Sequence, residues 1–160
     1  MKKIFTILLA LLPVVAFCQE APQNAKTVFF DVPGSKQAII KSIERSLFDF
    51  YFTGCWYNSD STLIISNERE FTQAGSLPAG KLTAMFRISE YEGKHTLYIS
   101  GTCAIDVTKP YSAGKVVATN STSFLAGTSS KNGWDSLMML VESINKDKKP
   151  LFYELNVKSD

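Results

Sequence analysis

The chain has 160 residues, 45% of them hydrophobic and 20% charged, and a formal net charge of +2. This composition is typical of a folded globular domain and excludes a disordered or collagen-like chain. Because the charge is so nearly balanced, the chain offers little attraction to a phosphate backbone, and we expect no nucleic-acid partner.

The first eighteen residues have the pattern of an export signal. Lys2 and Lys3 precede an uncharged, mainly apolar run from Ile4 to Phe17. That run is shorter than the roughly 20 residues that a membrane-spanning helix needs. Removal of residues 1–18 takes away two of the 17 basic residues and none of the 15 acidic ones, which leaves a formally neutral chain. We therefore expect residues 1–18 to be a signal peptide.

The remaining chain is expected to be a flexible leader, residues 19–25, followed by a single domain, residues 26–160. The export signal places the protein in the periplasm or the extracellular space, without a further membrane span. Cys18 leaves an alternative open, because a cysteine that closes a signal is lipidated in outer-membrane lipoproteins. Phe17 is bulkier than the small residue that lipoprotein signals carry at that position, so we favour release over anchoring.

A strand and a helix are the first predicted elements. Thr27–Val32 is rich in β-branched and aromatic residues, which favours a strand. Ser35 is placed to cap a helix that runs to about Phe48. Apolar residues recur along that helix at the spacing of one face, namely Ile39, Ile40, Ile43 and Leu47.

Aromatic residues dominate the next segment, Phe48–Tyr57, and favour a strand that is buried on both faces or lines a cavity. Asn58–Ser61 is typical of a turn, and Thr62–Ser66 of the returning strand. The clearest alternation of apolar and polar residues follows in Leu82–Ser89 and His95–Cys103. It predicts a second hairpin, with its turn at Glu92–Gly93.

Three elements are predicted in the last third of the chain. Lys115–Ser123 is expected to be a strand. Apolar residues from Trp134 to Ile144 recur at helical spacing, so they predict a second amphipathic helix that ends before Pro150. Residues 151–157 are expected to add a final strand.

This order of elements predicts an α+β fold, a curved antiparallel sheet of about five to six strands with two helices packed on one face. The layout, from about Thr27 to Lys146, resembles the TBP-like and helix-grip arrangements of small secreted bacterial domains. Helix-grip domains often bind apolar ligands between sheet and helix, whereas TBP-like sheets often contact other proteins. The resemblance implies a fold and assigns no functional residue.

The aromatic segment supplies the predicted binding residues. On a strand, Phe50, Phe52 and Trp56 share one face, and we expect them to line a binding site together with Phe86. Packing of these rings in the core is the competing interpretation. The site would accept a small apolar ligand in a sheet–helix cavity or an envelope protein on the open sheet face.

Cys55 and Cys103 are the only cysteines that remain after cleavage of the signal. Oxidising compartments favour pairing, so we expect a disulfide between them, with two unpaired thiols as the other possibility. A thiol-dependent hydrolase that uses Cys55 and His95 is the alternative function. His95 is the only histidine, and we expect neither a metal site nor a cofactor. The sequence thus predicts a non-enzymatic, exported binding module of a bacterial envelope.

Overall fold

The alternation between Leu82 and Cys103 produces the centre of the fold, a long hairpin of two antiparallel strands. The computed structural model describes residues 21–22, 25–71, 80–105, 120–123 and 131–155. The strands in these ranges are β1 (Ala25–Val32), β2 (Cys55–Tyr57), β3 (Leu63–Ser66), β4 (Arg69–Phe71), β5 (Gly80–Tyr91), β6 (Lys94–Ile105), β7 (Asn120–Ser123) and β8 (Phe152–Leu155). The helices are α1 (Lys36–Asp49) and α2 (Lys131–Ile144).

The described strands pair antiparallel in one sheet with the order β2-β3-β5-β6-β1-β8. Two short strands lie off this path, since β4 pairs with β5 and β7 pairs with β6. The central hairpin turns at Glu92 and Gly93, which both have positive φ and so match the predicted two-residue turn. The predicted α+β class is confirmed, and the described sheet has eight strands rather than five to six.

Both helices cover the same face of the sheet. Their apolar residues pack in one core together with every second residue of the central strands. The buried members of this core include Val28 and Phe30 of β1, Ile64 of β3, Leu82, Ala84, Phe86 and Ile88 of β5, Leu97 and Ile99 of β6, Ile39, Ile43 and Leu47 of α1, and Trp134, Leu137, Leu140, Val141 and Ile144 of α2. Within the described ranges no helix lies on the other side of the sheet, which we call the open face. The residues that alternate with the core set lie there.

Helix α1 begins as predicted, with the Ser35 hydroxyl accepting from the Ala38 N–H at 3.3 Å. It ends at Asp49, close to the predicted end, but the strand predicted to follow at once begins only at Cys55. The Phe52 N–H reaches back to the Leu47 carbonyl at 2.9 Å, while Tyr51 has a φ of 63°. This is the Schellman arrangement, in which a left-handed residue ends a helix. The predicted strand Phe48–Tyr57 was therefore wrong over its first seven residues.

A register shift interrupts the edge of β5 that β3 and β4 share. Leu63 of β3 pairs with Arg87 of β5, whereas Arg69 of β4 pairs with Leu82 of β5. The chain from β3 to β4 therefore has one more residue between these pairings than β5 has. Beside this bulge, the buried Ala84 N–H donates to the Ser66 hydroxyl at 2.9 Å. The Ser66 side chain thus satisfies a backbone donor of β5.

At the N-terminal side, β1 begins earlier than the sequence predicts. Ala25, the last residue of the predicted flexible leader, is fully buried in β1, and Ala21 packs against the core. The predicted signal segment and Cys18 lie outside the described residues. In the described parts of the chain, neither helix is long and apolar enough to cross a membrane.

Candidate interaction surface on the open sheet face

The structure separates the four predicted binding residues. Phe52 and Phe86 are buried in the core, and Phe50 packs against it half-buried. Trp56 is 56% exposed and lies on the open face, opposite Ile65 of β3. These four side chains therefore do not line one pocket, because Trp56 and Phe86 lie on opposite sides of the sheet.

Phe52 is in the core because it follows the end of α1 rather than lying on a strand. It is the residue after the left-handed Tyr51, a position at which an apolar side chain often packs back on the helix. The Arg69 guanidinium covers it, with Cζ 5.8 Å from the ring centroid. The competing interpretation, packing in the core, is the one that the structure supports for Phe52 and Phe86.

A row of planar side chains crosses the open face instead. Phe152 of β8 pairs with Phe29 of β1, Phe29 with Tyr98 of β6, and Tyr98 with Arg87 of β5. The ring centroids of Phe29 lie 5.5 Å from Phe152 and 5.0 Å from Tyr98, with interplanar angles of 24° and 22°. Arg87 Cζ lies 4.4 Å from the Tyr98 centroid. We call these four residues the aromatic row.

The aromatic row is stable as a unit because each planar group stacks on the next. Aromatic pairs at such distances contribute about 0.5–1.5 kcal/mol beyond their buried area, and a cation over a ring adds about 0.5–1 kcal/mol at an exposed site. The rings stand side by side on the sheet, so their edges point outward. Phe152, at the end of the row, is still 52% exposed.

Apolar side chains extend the row toward the opposite edge of the sheet. Leu63 pairs with Arg87, and in the adjacent line of residues Met85, Ile65 and Trp56 follow one another across β5, β3 and β2. A depression of about 240 Å³ lies here, with Met85, Arg87 and Tyr98 in its wall. This depression has room for a side chain of a partner molecule.

The charge on the open face is mixed, since Glu154 shares the wall of this depression with Arg87. Within the described ranges, Lys81 pairs with Glu68 at 3.2 Å, whereas Arg87 has no carboxylate oxygen within 4.0 Å. One side of the Arg87 guanidinium is stacked on Tyr98, and the N–H groups at its edge are available to an acceptor. A carboxylate of a partner would complete this site.

The predicted disulfide between Cys55 and Cys103 is wrong. Cys55 lies on β2 and Cys103 on β6, with β3 and β5 between them. Three strand spacings of about 4.8 Å separate the backbones by roughly 14 Å, twice the largest separation of about 7 Å that a disulfide spans. Cys55 is a free thiol, so the other possibility, unpaired thiols, applies to it.

Cys55 and His95 are not brought together either. The row that contains Cys55 crosses β5 near Ala84, whereas His95 pairs with Glu90, so the two residues are separated by roughly 20 Å along the strands alone. His95 Nε2 lies 3.5 Å from Glu90 Oε2. This separation rules out a direct thiol–imidazole pair, which needs a contact of about 3 Å.

Cys55 instead belongs to a chain of hydrogen bonds on the helix side of β2. Its thiol donates to Tyr57 Oη at 3.0 Å, and the Tyr57 hydroxyl donates to Glu44 of α1. Burial and these two hydrogen bonds raise the pKa of the Tyr57 phenol well above its ordinary value. A neutral phenol at this position links α1 to the edge of the sheet.

The sequence contained a partial signal for the aromatic row. Alternation already placed Arg87 on the side of β5 away from the core, and Phe29 next to the core residue Phe30. It did not show that Phe29, Tyr98 and Phe152 meet, because that depends on pairing between strands distant in sequence. Comparison of the chain with known protein families and with curated proteins finds no match.

Proposed function

We propose that the protein is an exported binding module that docks another envelope protein on its open face. The observation that carries this proposal is the aromatic row, a stack of Phe152, Phe29, Tyr98 and Arg87 across four strands that no helix of the described residues covers. Aromatic residues and arginine are the side chains that most often dominate the binding energy of protein interfaces. Export rests on the signal-like first eighteen residues.

The size of the open face supports a protein partner. Six strands span roughly 24 Å across the sheet, and the twelve residues of β5 extend over roughly 40 Å. A standard interface covers about 800 Å² on each partner, which this area can supply. The row crosses four of these six strands, from β8 at one edge of the sheet to β5.

The chemistry of the partner follows from the residues of the face. Met85, Ile65 and Trp56 favour apolar side chains, and Arg87 favours a carboxylate that accepts from the N–H groups at its edge. We therefore propose a partner whose contact surface presents an acidic residue among apolar ones.

The other predicted occupant, a small apolar ligand between sheet and helices, has less support. The depression that α1, α2 and β1 form encloses about 180 Å³, below the roughly 300 Å³ at which ligand sites begin. Asp31, Lys146 and Asp147 contribute charged groups to its wall.

Site-specific photocrosslinking tests the proposal. A photoreactive phenylalanine analogue replaces Met85 on the open face, or Met139 on α2 as the control, in the cells that make the protein. Met139 is 57% exposed on the helix side, so the two probes differ in the surface they report. We expect light-dependent protein adducts from position 85 and none from position 139.

A charge reversal at Arg87 tests whether the adduct depends on the proposed contact with a carboxylate. In the position 85 probe, Arg87→Glu is expected to abolish the adduct, while Arg45→Glu, on an exposed site of α1, leaves it unchanged. Equal adducts from positions 85 and 139, or an adduct that survives Arg87→Glu, would overturn the proposal.

A further inference from the structure

A cavity of about 380 Å³ lies at one end of the sheet, where Phe152 of the aromatic row forms part of its wall. It forms where β1 ends at Val32, β6 begins at Lys94, and Lys149 and Pro150 lead the chain into β8. Its volume falls within the range of about 300–1,000 Å³ typical of small-molecule sites.

Charged groups of both signs line this cavity, and the described residues form no ion pair between them. Lys94, Lys149 and Asp31 all contribute to its wall. Among the described residues, neither lysine has a carboxylate oxygen within 4.0 Å, and Asp31 accepts only from the Thr96 hydroxyl, at 3.0 Å. His95 also lines the cavity, and its Nε2 faces Glu90 at 3.5 Å. The two lysines and Asp31 are thus free to contact a ligand.

The cavity also has an apolar wall, to which Phe152 and Pro150 contribute. Phe152 stacks on Phe29 through one side of its ring and is 52% exposed overall. An apolar group of a ligand that covered Phe152 would remove apolar surface from water, which contributes about 25 cal/mol for each Å².

We propose that this cavity binds a small zwitterion of the amino-acid class. The ligand carboxylate would contact Lys94 and Lys149, its ammonium would contact Asp31, and its apolar side chain would cover Phe152. A cavity with only lysines would favour simple anions, but Asp31 beside them favours a ligand that carries both charges. This proposal does not depend on the docking function of the open face.

Titration with phenylalanine, followed by the backbone amide signals in two-dimensional NMR, tests the assignment. We expect saturable shifts at Gly93, Lys94 and Phe152, with a dissociation constant on the order of 1 mM for a ligand of this size. N-acetylphenylalanine, which lacks the ammonium, and phenethylamine, which lacks the carboxylate, are each expected to bind roughly two- to fivefold more weakly, as the loss of an exposed charge contact predicts.

Charge-removing variants connect the binding to the proposed contacts. Lys94→Gln and Lys149→Gln should each weaken phenylalanine binding by roughly two- to fivefold, and Asp31→Asn should do the same while it keeps an acceptor for Thr96. Lys41→Gln, on the exposed side of α1, is the matched control and should leave the affinity unchanged. The proposal fails if phenylalanine produces no saturable shift, if all three compounds bind equally, or if the cavity variants bind like the control.

Discussion

Tyr51 is a residue whose backbone conformation conflicts with its side chain. It has a φ of 63°, in the left-handed region, and ends α1 at a position where glycine is the usual residue. Its side chain is 82% exposed, so packing of the ring does not offset the backbone cost. The left-handed conformation costs a non-glycine residue about 1–2 kcal/mol.

Replacement of Tyr51 by glycine is therefore expected to stabilise the protein. Part of the relieved strain is offset by the greater entropy of glycine in the unfolded chain, about 0.4–1 kcal/mol. The difference of these two effects is expected to raise the free energy of unfolding by about 0.5–1 kcal/mol in urea titration. Tyr51→Ala is the control, because it removes the ring and keeps the strained Cβ. Equal stabilities of the two variants would show that the backbone conformation is not the cause.

Tyr57 gives the stability a specific dependence on alkaline pH. Because folding raises the pKa of its phenol, the folded state keeps a proton that the unfolded state loses above about pH 10. Its contribution is fully present below that pH and decreases as the pH rises through the ordinary tyrosine range. Tyr57→Phe lacks this group and should lose less stability over the same range.

The measurement is the free energy of unfolding of both proteins between pH 8 and about pH 11, a range centred near the ordinary tyrosine pKa. The difference between wild type and Tyr57→Phe should be constant at the lower end and shrink as the pH rises. Groups outside the hydrogen-bond chain of Tyr57 are the same in both proteins, so their contributions cancel in this difference. Parallel curves over the whole range would contradict the raised pKa.

At the scale of elements, the bulge between β3 and β4 depends on one hydroxyl. Ser66 accepts from the buried Ala84 N–H, so Ser66→Ala leaves that donor without its partner. An unsatisfied buried donor costs about 1–3 kcal/mol, and we expect this loss in the free energy of unfolding. Ser89→Ala, at an exposed position on the same strand as Ala84, is the control and should change stability by less than about 0.5 kcal/mol. A similar loss in both variants would mean that the Ser66 hydroxyl is not specifically needed.

Some aromatic residues of the predicted site lie in the core and others on the surface. Replacement of a core residue should therefore destabilise the protein more than replacement of a surface residue. Phe86 is fully buried, so Phe86→Ala is expected to cost about 3–5 kcal/mol through lost packing and a cavity. Trp56→Ala removes a ring that is 56% exposed and should cost no more than about 1 kcal/mol. Chemical unfolding of the two variants gives the comparison. A large loss for Trp56→Ala would contradict its place on an open surface.

The helices and the central hairpin could be predicted from the sequence because their signals are local. Ser35 capped α1 as expected, and alternation from Leu82 to Cys103 gave the strands with their turn at Glu92–Gly93. The segment after α1 could not be predicted in this way. Its aromatic residues favour strands, but Tyr51 ends the helix in the left-handed conformation. Glycine is the usual residue in that conformation, and no glycine marks this helix end in the sequence.

The sites depended on pairings that no local pattern determines. Cys55 and Cys103 suggested a disulfide because of the expected compartment, yet the strand order places two strands between them. The aromatic row also depends on pairing between distant strands. Phe29, Tyr98 and Phe152 are far apart in sequence and meet only through the register of β1, β6 and β8. Alternation predicted which face a residue occupies, but not its neighbours on that face.

Among the described residues, the two helices cover one face of the sheet and leave the other face without a helix. Both helices pack on the same side, and the core there is filled by large apolar side chains. The other side carries the aromatic row and its apolar extension, with Arg87 lacking a carboxylate partner in the described ranges. This asymmetry is the basis for the proposed docking of an envelope protein.

The most direct test uses the partner that crosslinks to the probe at position 85. Its affinity for two tyrosine variants is measured by calorimetry on purified proteins. Tyr98 lies inside the aromatic row, whereas Tyr91 is 75% exposed next to the hairpin turn and outside the row. We predict that Tyr98→Ala weakens binding by roughly tenfold or more, as an interface hot spot does, and that Tyr91→Ala changes it by less than about twofold. Unchanged affinity of a folded Tyr98→Ala variant would contradict the central claim.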